Sequence, residues 1–282
     1  MPLLAALVSG LAFTLLQILF KRHTSPATSP LILPSWLALL FPAWLAAFVA
    51  CNQTNLLTFT LTPTALAYPL LWAICTVTTT TGLVWLLSRF SLSELAGYKK
   101  TFITLGAATA DVLIFHTQFP LATLIALAFL LGGTVGLSQS RNRLPTLAEI
   151  ALIIGWCLIM VFQVSTYKYG QKLQPAVLSH TIIAQGFSTA LYALLWLIPT
   201  VRRQPLPGTG VLVPVLAAAL TGVLLEGFAY AGLPLAMVLV ITMLPTALMA
   251  THDLWHGDLP RTPRTALALL ILLAGIVTLV WR

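Results

Sequence analysis

The stretch His116 to Pro120 (HTQFP), followed by the apolar run Ala126 to Leu131 (ALAFLL), returns 140 positions later as His256 to Pro260 (HGDLP) and Ala266 to Ile271 (ALALLI). The offset is the same for the histidine, the proline and the start of the apolar run, and it is about half of the 282 residues. A hydrophobic chain that repeats at half its length reads as two membrane-embedded halves. In carriers built this way the substrate site lies where the halves meet.

Composition sets the solvent. Apolar residues make up 59% of the chain and charged ones 7%, with a mean hydropathy of +0.98; a soluble domain carries roughly a quarter charged residues. So few charges cannot cover a globular surface. Cys51, Cys75 and Cys157 lie in or beside apolar runs and are odd in number, so no disulfide framework is implied. The net charge of +8 has no soluble module or basic face to present it to nucleic acid. Excess Lys and Arg in a membrane chain marks cytoplasmic loops instead.

A span needs roughly 17–25 mostly apolar residues. The pattern predicts ten, near 3–20, 33–50, 65–88, 92–115, 120–138, 146–167, 174–198, 209–230, 234–251 and 264–281. Ser91-x-x-Glu94 and Thr146-x-x-Glu149 match the capping box, which gives both glutamates a structural explanation. The odd-to-even loops hold Lys21, Arg22, Arg89, Arg141, Arg143, Arg202, Arg203, Arg261 and Arg264, against Lys168, Lys172 and Arg282 on the other side. That bias places those loops in the cytoplasm and both termini outside, in a multi-pass protein of the cell (inner) membrane. The first span lacks a basic n-region and a cleavage site, so it reads as an uncleaved reverse anchor. With five helices per half, the second half inserts upside down, giving inverted repeats and two nearly equivalent conformations open to opposite sides.

The stretch Glu226-Gly-Phe-Ala-Tyr-Ala-Gly-Leu-Pro-Leu-Ala, then Leu244-Pro245-Thr246, His256-Gly-Asp258-Leu and a last apolar helix with Gly275, resembles the end of an EamA-type domain of the drug/metabolite transporter superfamily. Pro245 matches the proline of that family's ninth helix, and Asp258 takes the place of its glutamate. In the first half these positions are Leu105 and Gln118, a degenerate copy. Lys21 and Lys168, each followed by a proline (Pro30, Pro175), are similar to the family's lysine at the ends of helices one and six. The resemblance implies an all-α carrier of ten transmembrane helices in two repeats, residues 1–140 and 146–282, with a central cavity between bundles.

Ionisable groups inside spans are functional candidates by default. Lys99 and Lys100 sit about 12 Å along the fourth helix at 1.5 Å per residue. Lys100, Thr104 and Asp111 share one helix face and form a polar stripe. In one reading the stripe lines the cavity, with Lys100 facing an anionic substrate group. In the other the lysines snorkel to the surface. Some anion-carrying branches of the superfamily place a lysine in this helix, which the pair resembles.

Glu226 has no basic neighbour in sequence and is the first proton-coupling candidate, with Asp111 the second. A carboxylate inside an apolar span can take up and release a proton during a cycle, and Glu226 can instead serve as counter-ion to Lys100. Gln17, Gln163, Tyr167 and His180 are candidate substrate-binding residues in spans one, six and seven, and Gln17 and Gln163 occupy comparable places in the two halves. Gln185 is a further polar residue of span seven, and Thr76 to Thr81 read mainly as helix packing. His252-Asp-Leu-Trp-His256 has the histidine spacing of a zincin, with Asp where the base is normally Glu, and His116 has no second histidine four residues earlier. Asn52-Gln-Thr54 is a sequon on the outer side.

No phosphate loop, catalytic set or soluble domain is found, so no enzymatic activity, cofactor, metal or nucleic-acid partner is expected. The expectation is a secondary active transporter, exporter or exchanger, for a small polar or anionic metabolite, acting as monomer or homodimer by alternating access. The alternatives are a metal-dependent intramembrane enzyme and a lipid-head-group translocator or accessory subunit.

Overall fold

Lipid offers a backbone no hydrogen-bond partner, so long apolar runs satisfy their own N–H and C=O groups as helices. A computed structural model describes residues 1–25, 29–90, 92–118, 121–138, 146–241, 249, 252–256 and 261–280. Among these there is no strand. The main helices are α1 (Pro2–His23), α2 (Ile32–Gln53, with a 3-10 stretch at Trp36–Leu40), α3 (Pro63–Leu87), α4 (Leu92–Leu113) and α5 (Leu121–Ser138). They continue as α6 (Leu147–Lys172), α7 (Val177–Leu194), α8 (Thr209–Gly232), α9 (Leu235–Ile241) and α10 (Pro263–Val280). Among the described residues, five of them, α1, α2, α3, α6 and α8, are long and apolar enough to cross a membrane. The protein is therefore an α-helical membrane protein.

Local sequence explains the helix ends. At α6, Glu149 Oε2 accepts from the Thr146 backbone N–H at 2.8 Å, and the Glu149 N–H donates to Thr146 Oγ1 at 3.3 Å. This is the reciprocal capping box expected there. Thr62 Oγ1 accepts from Ala65 N–H ahead of Pro63, and Thr262 Oγ1 accepts from Thr265 N–H ahead of Pro263. Proline at the first helical position loses no bond, because that N–H is unpaired in any helix. The Ser91–Glu94 box, Pro120, Pro245, Asp258 and Pro260 lie outside the described residues and side chains. His116 takes a left-handed φ of 53° just past α4, where the Thr117 N–H donates to Asp111 O at 2.9 Å. The histidine of the repeat thus serves at least as a helix stop.

The chain divides into two compact units, Met1–Arg89 with Phe162–Leu233, and Phe90–Val161 with Pro234–Arg282. Each draws on both halves of the sequence, so the compact bodies and the repeat are different divisions of the chain.

In the first unit α1 lies along α8. Ser9 Oγ donates to Gly222 O at 2.8 Å, and a Cβ on Gly222 would meet the Phe13 ring at 3.1 Å. The segment before α3 is clamped by side chains after α6: Gln174 Nε2 donates to Thr60 O at 2.9 Å while its Oε1 accepts from Thr60 N–H at 3.0 Å, and Ser179 Oγ donates to Thr58 O.

In the second unit α5 packs on α10 through small residues. A Cβ on Gly133 would stand 2.8 Å from the Leu272 backbone nitrogen, and one on Gly136 2.8 Å from Ala268 Cβ. Small residues let two helices approach to backbone contact, where dispersion replaces the hydrophobic effect that lipid does not supply.

Candidate functional site

The first unit contains a belt of buried polar groups carried by α3, α6, α7 and α8. Its hub is Tyr167, 3% exposed. Its ring centroid lies 4.6 Å from His180, edge-on, 5.3 Å from Trp72 and 5.8 Å from Tyr230. Its hydroxyl shares a 2.6 Å hydrogen bond with Thr181 Oγ1. Tyr230 OH donates to Glu226 Oε1 at 2.9 Å, one helical turn away on α8. Gln171 Nε2 donates to Gly227 O at 3.0 Å, tying α6 to α8.

Two glycines make this packing possible. A Cβ on Gly227 would stand 2.7 Å from Thr181 Oγ1 and 2.8 Å from the Tyr167 hydroxyl oxygen. A Cβ on Gly170 would collide with His180 Cε1.

His180 is fully buried, and neither ring nitrogen has a hydrogen-bond partner among the described residues. Gln185 Nε2, further along α7, is also unpaired, although its Oε1 accepts from Ser188 Oγ at 3.1 Å. Such groups are uncommon, because an unmet buried donor or acceptor costs about 1–3 kcal/mol. They are the belt's spare hydrogen-bonding capacity.

A second cluster stands nearby on the same helices. Gln163 Nε2 donates to Thr76 Oγ1 at 2.8 Å, and Thr79 Oγ1 donates to Gln163 Oε1 at 2.9 Å. Tyr192 OH donates to Thr80 Oγ1 at 2.8 Å. The threonine run thus joins α3 to α6 and α7, and Gln163, a candidate ligand by sequence, spends its amide on these threonines. Gln17 is buried in α1.

The fourth-helix candidates belong to the second unit. Thr104 is 1% exposed with its hydroxyl unpaired among the described residues, and Asp111 is fully buried. Lys99 and Lys100 are on the same helix, and their side chains lie outside the described residues.

The two lysines paired by sequence perform the same act. Lys21 Nζ donates to Leu87 O at 2.8 Å, at the end of α3, and Lys168 Nζ donates to Leu233 O at 3.3 Å, at the end of α8. A cation on a helix's last carbonyls satisfies an orphan acceptor and complements the helix dipole.

Sequence reasoning missed Trp72, Gln171, Tyr192 and Tyr230. Of these, only the i, i+4 spacing of Glu226 and Tyr230 carried a signal. A separate pocket of about 390 Å³ in this unit is lined by Phe41, Trp44, Leu45, Phe48, Phe187 and other apolar residues. It has no match to a polar solute. Among the described residues no group of three or more His, Cys, Asp or Glu is placed to hold a metal ion.

No family model and no curated protein matches this chain. One solved structure, described simply as "Crystal structure of protein", aligns with a TM-score of 0.66 over 98% of this chain and 96% of that chain, at 15% identity. That likeness concerns the fold alone.

Proposed function

We propose that this protein is a secondary active transporter of the drug/metabolite transporter type, with ten spans in two inverted repeats. It moves a small polar metabolite through a central cavity by alternating access. The observation that carries this reading is His180, a fully buried imidazole with both nitrogens unpaired among the described residues, set against Tyr167 in a belt that also holds Glu226. A polar solute that hydrogen-bonds to the imidazole repays the desolvation already spent on it. Glu226 is the coupling carboxylate, and Lys100, which shares a helix face with Thr104 and Asp111 in the sequence, is the candidate partner of an anionic substrate group. Equivalent lysine-to-carbonyl caps from Lys21 and Lys168 support a duplicated scaffold. The near full-length fold likeness is compatible with it.

The test is reconstitution. Purified protein in liposomes accumulates a labelled solute chosen by ligand-dependent thermal stabilisation. His180→Leu, which keeps the volume and removes both nitrogens, lowers its affinity roughly tenfold, the worth of one hydrogen bond. Folded protein that stabilises with no metabolite and moves none would overturn the proposal.

A further inference from the structure

The carrier reading assigns no chemistry to the imidazoles of His252 and His256. Its residues are helical, and the i, i+4 spacing sets the two imidazoles on one face. Their ring centroids stand 4.4 Å apart with planes inclined by 41°. The fully buried Asp253 places Oδ1 3.5 Å from Nδ1 of His252. A carboxylate at one ring nitrogen fixes the tautomer that leaves a lone pair on the other, the outer-shell arrangement of metal-binding histidines. That other nitrogen, Nε2 of His252, is buried with no partner among the described residues. His256 is exposed with its ring against that of His252, and an exposed side chain exchanges rotamers on the ps–ns timescale.

We propose that His252 and His256 bind a first-row divalent transition-metal ion, with Asp253 as the positioning residue. Paired imidazoles select Zn²⁺, Ni²⁺ or Cu²⁺ over the oxygen-seeking Mg²⁺ and Ca²⁺. No third protein ligand completes the set among the described residues, and water fills the remaining positions. This is a binding site and not a protease centre. The residue at the zincin base position is aspartate, and it is engaged with the His252 ring instead of standing free beside the ion.

Intact protein in detergent is stripped with a chelator and titrated with Zn²⁺ by calorimetry, and bound metal is measured after dialysis. Wild type binds one ion per chain and ignores Mg²⁺. His256→Ala, an exposed change that leaves thermal unfolding of the metal-free protein unaltered, loses the binding. Asp253→Asn keeps the stoichiometry and weakens affinity about tenfold. Zn²⁺ binding by His256→Ala equal to wild type, or equal binding of Mg²⁺ and Zn²⁺ by wild type, would overturn the site. An unchanged affinity in Asp253→Asn would remove the positioning role.

Discussion

Replacing Gly227 with alanine isolates the packing that holds the polar belt together. In an uncrowded helix interior this change stabilises by roughly 1 kcal/mol, because glycine gives up more backbone entropy on folding. At Gly227 the new methyl stands 2.7 Å from Thr181 Oγ1 and 2.8 Å from Tyr167 OH, two atoms already 2.6 Å apart in a shared hydrogen bond. They belong to α7 and α6, so relief requires moving a helix or breaking their bond. Overpacking costs about 1–3 kcal/mol and the lost hydrogen bond about 1 kcal/mol. Less the propensity gain, the expected net destabilisation is about 1–3 kcal/mol.

Gly155 is the matched control, since a Cβ there meets nothing within 4 Å. Gly155→Ala stabilises by about 0.5–1 kcal/mol. Reversible unfolding in mixed micelles, followed by circular dichroism and tryptophan fluorescence, reads both variants. Adding Thr181→Ala to Gly227→Ala removes the nearest clashing atom and recovers part of the loss, a non-additive pair. If Gly227→Ala is as stable as Gly155→Ala, the close packing described for Tyr167 and Thr181 is wrong.

Three further outcomes bear on the site. Gln163→Leu costs about 1–2 kcal/mol in the same unfolding assay, the worth of two hydrogen bonds. The loss stays small because Thr76 Oγ1 retains Trp72 O and Thr79 Oγ1 retains Thr76 O as acceptors; a loss above about 4 kcal/mol contradicts that account. Glu226→Gln keeps an acceptor for Tyr230 but removes the exchangeable proton, so uptake into liposomes stops following an imposed pH gradient; a full pH response in this variant refutes proton coupling at Glu226. Lys100→Ala lowers affinity for an anionic substrate roughly 10- to 100-fold, the worth of a charge-assisted hydrogen bond; unchanged uptake and binding of every solute tested would make Lys100 a snorkelling residue.

Helix positions and ends were legible because they depend on local chemistry. Length and apolarity place α1 to α8 within a few residues of the expected spans, and Thr146 with Glu149 marks the start of α6 unaided. The shared face of Thr104 and Asp111 also follows from periodicity, and both are buried. The belt was half legible. Tyr167, His180 and Glu226 stand out as polar residues in apolar runs, but the roles of their neighbours do not. Gln163 looked like Gln17's counterpart, yet its amide is spent on Thr76 and Thr79, residues more than eighty positions away in sequence.

The chain by itself determined the solvent, the helical class and the candidates, because membrane partition and helix periodicity are properties of short windows. Only the tertiary structure decided which candidates are satisfied and which are not. It shows His180 with two nitrogens unpaired among the described residues, Lys21 and Lys168 on distant carbonyls, and Gly170 and Gly227 as the gaps into which neighbouring helices fit. Hydrogen-bond satisfaction depends on which helices pack together, and in a chain this uniformly apolar no single segment encodes its partner.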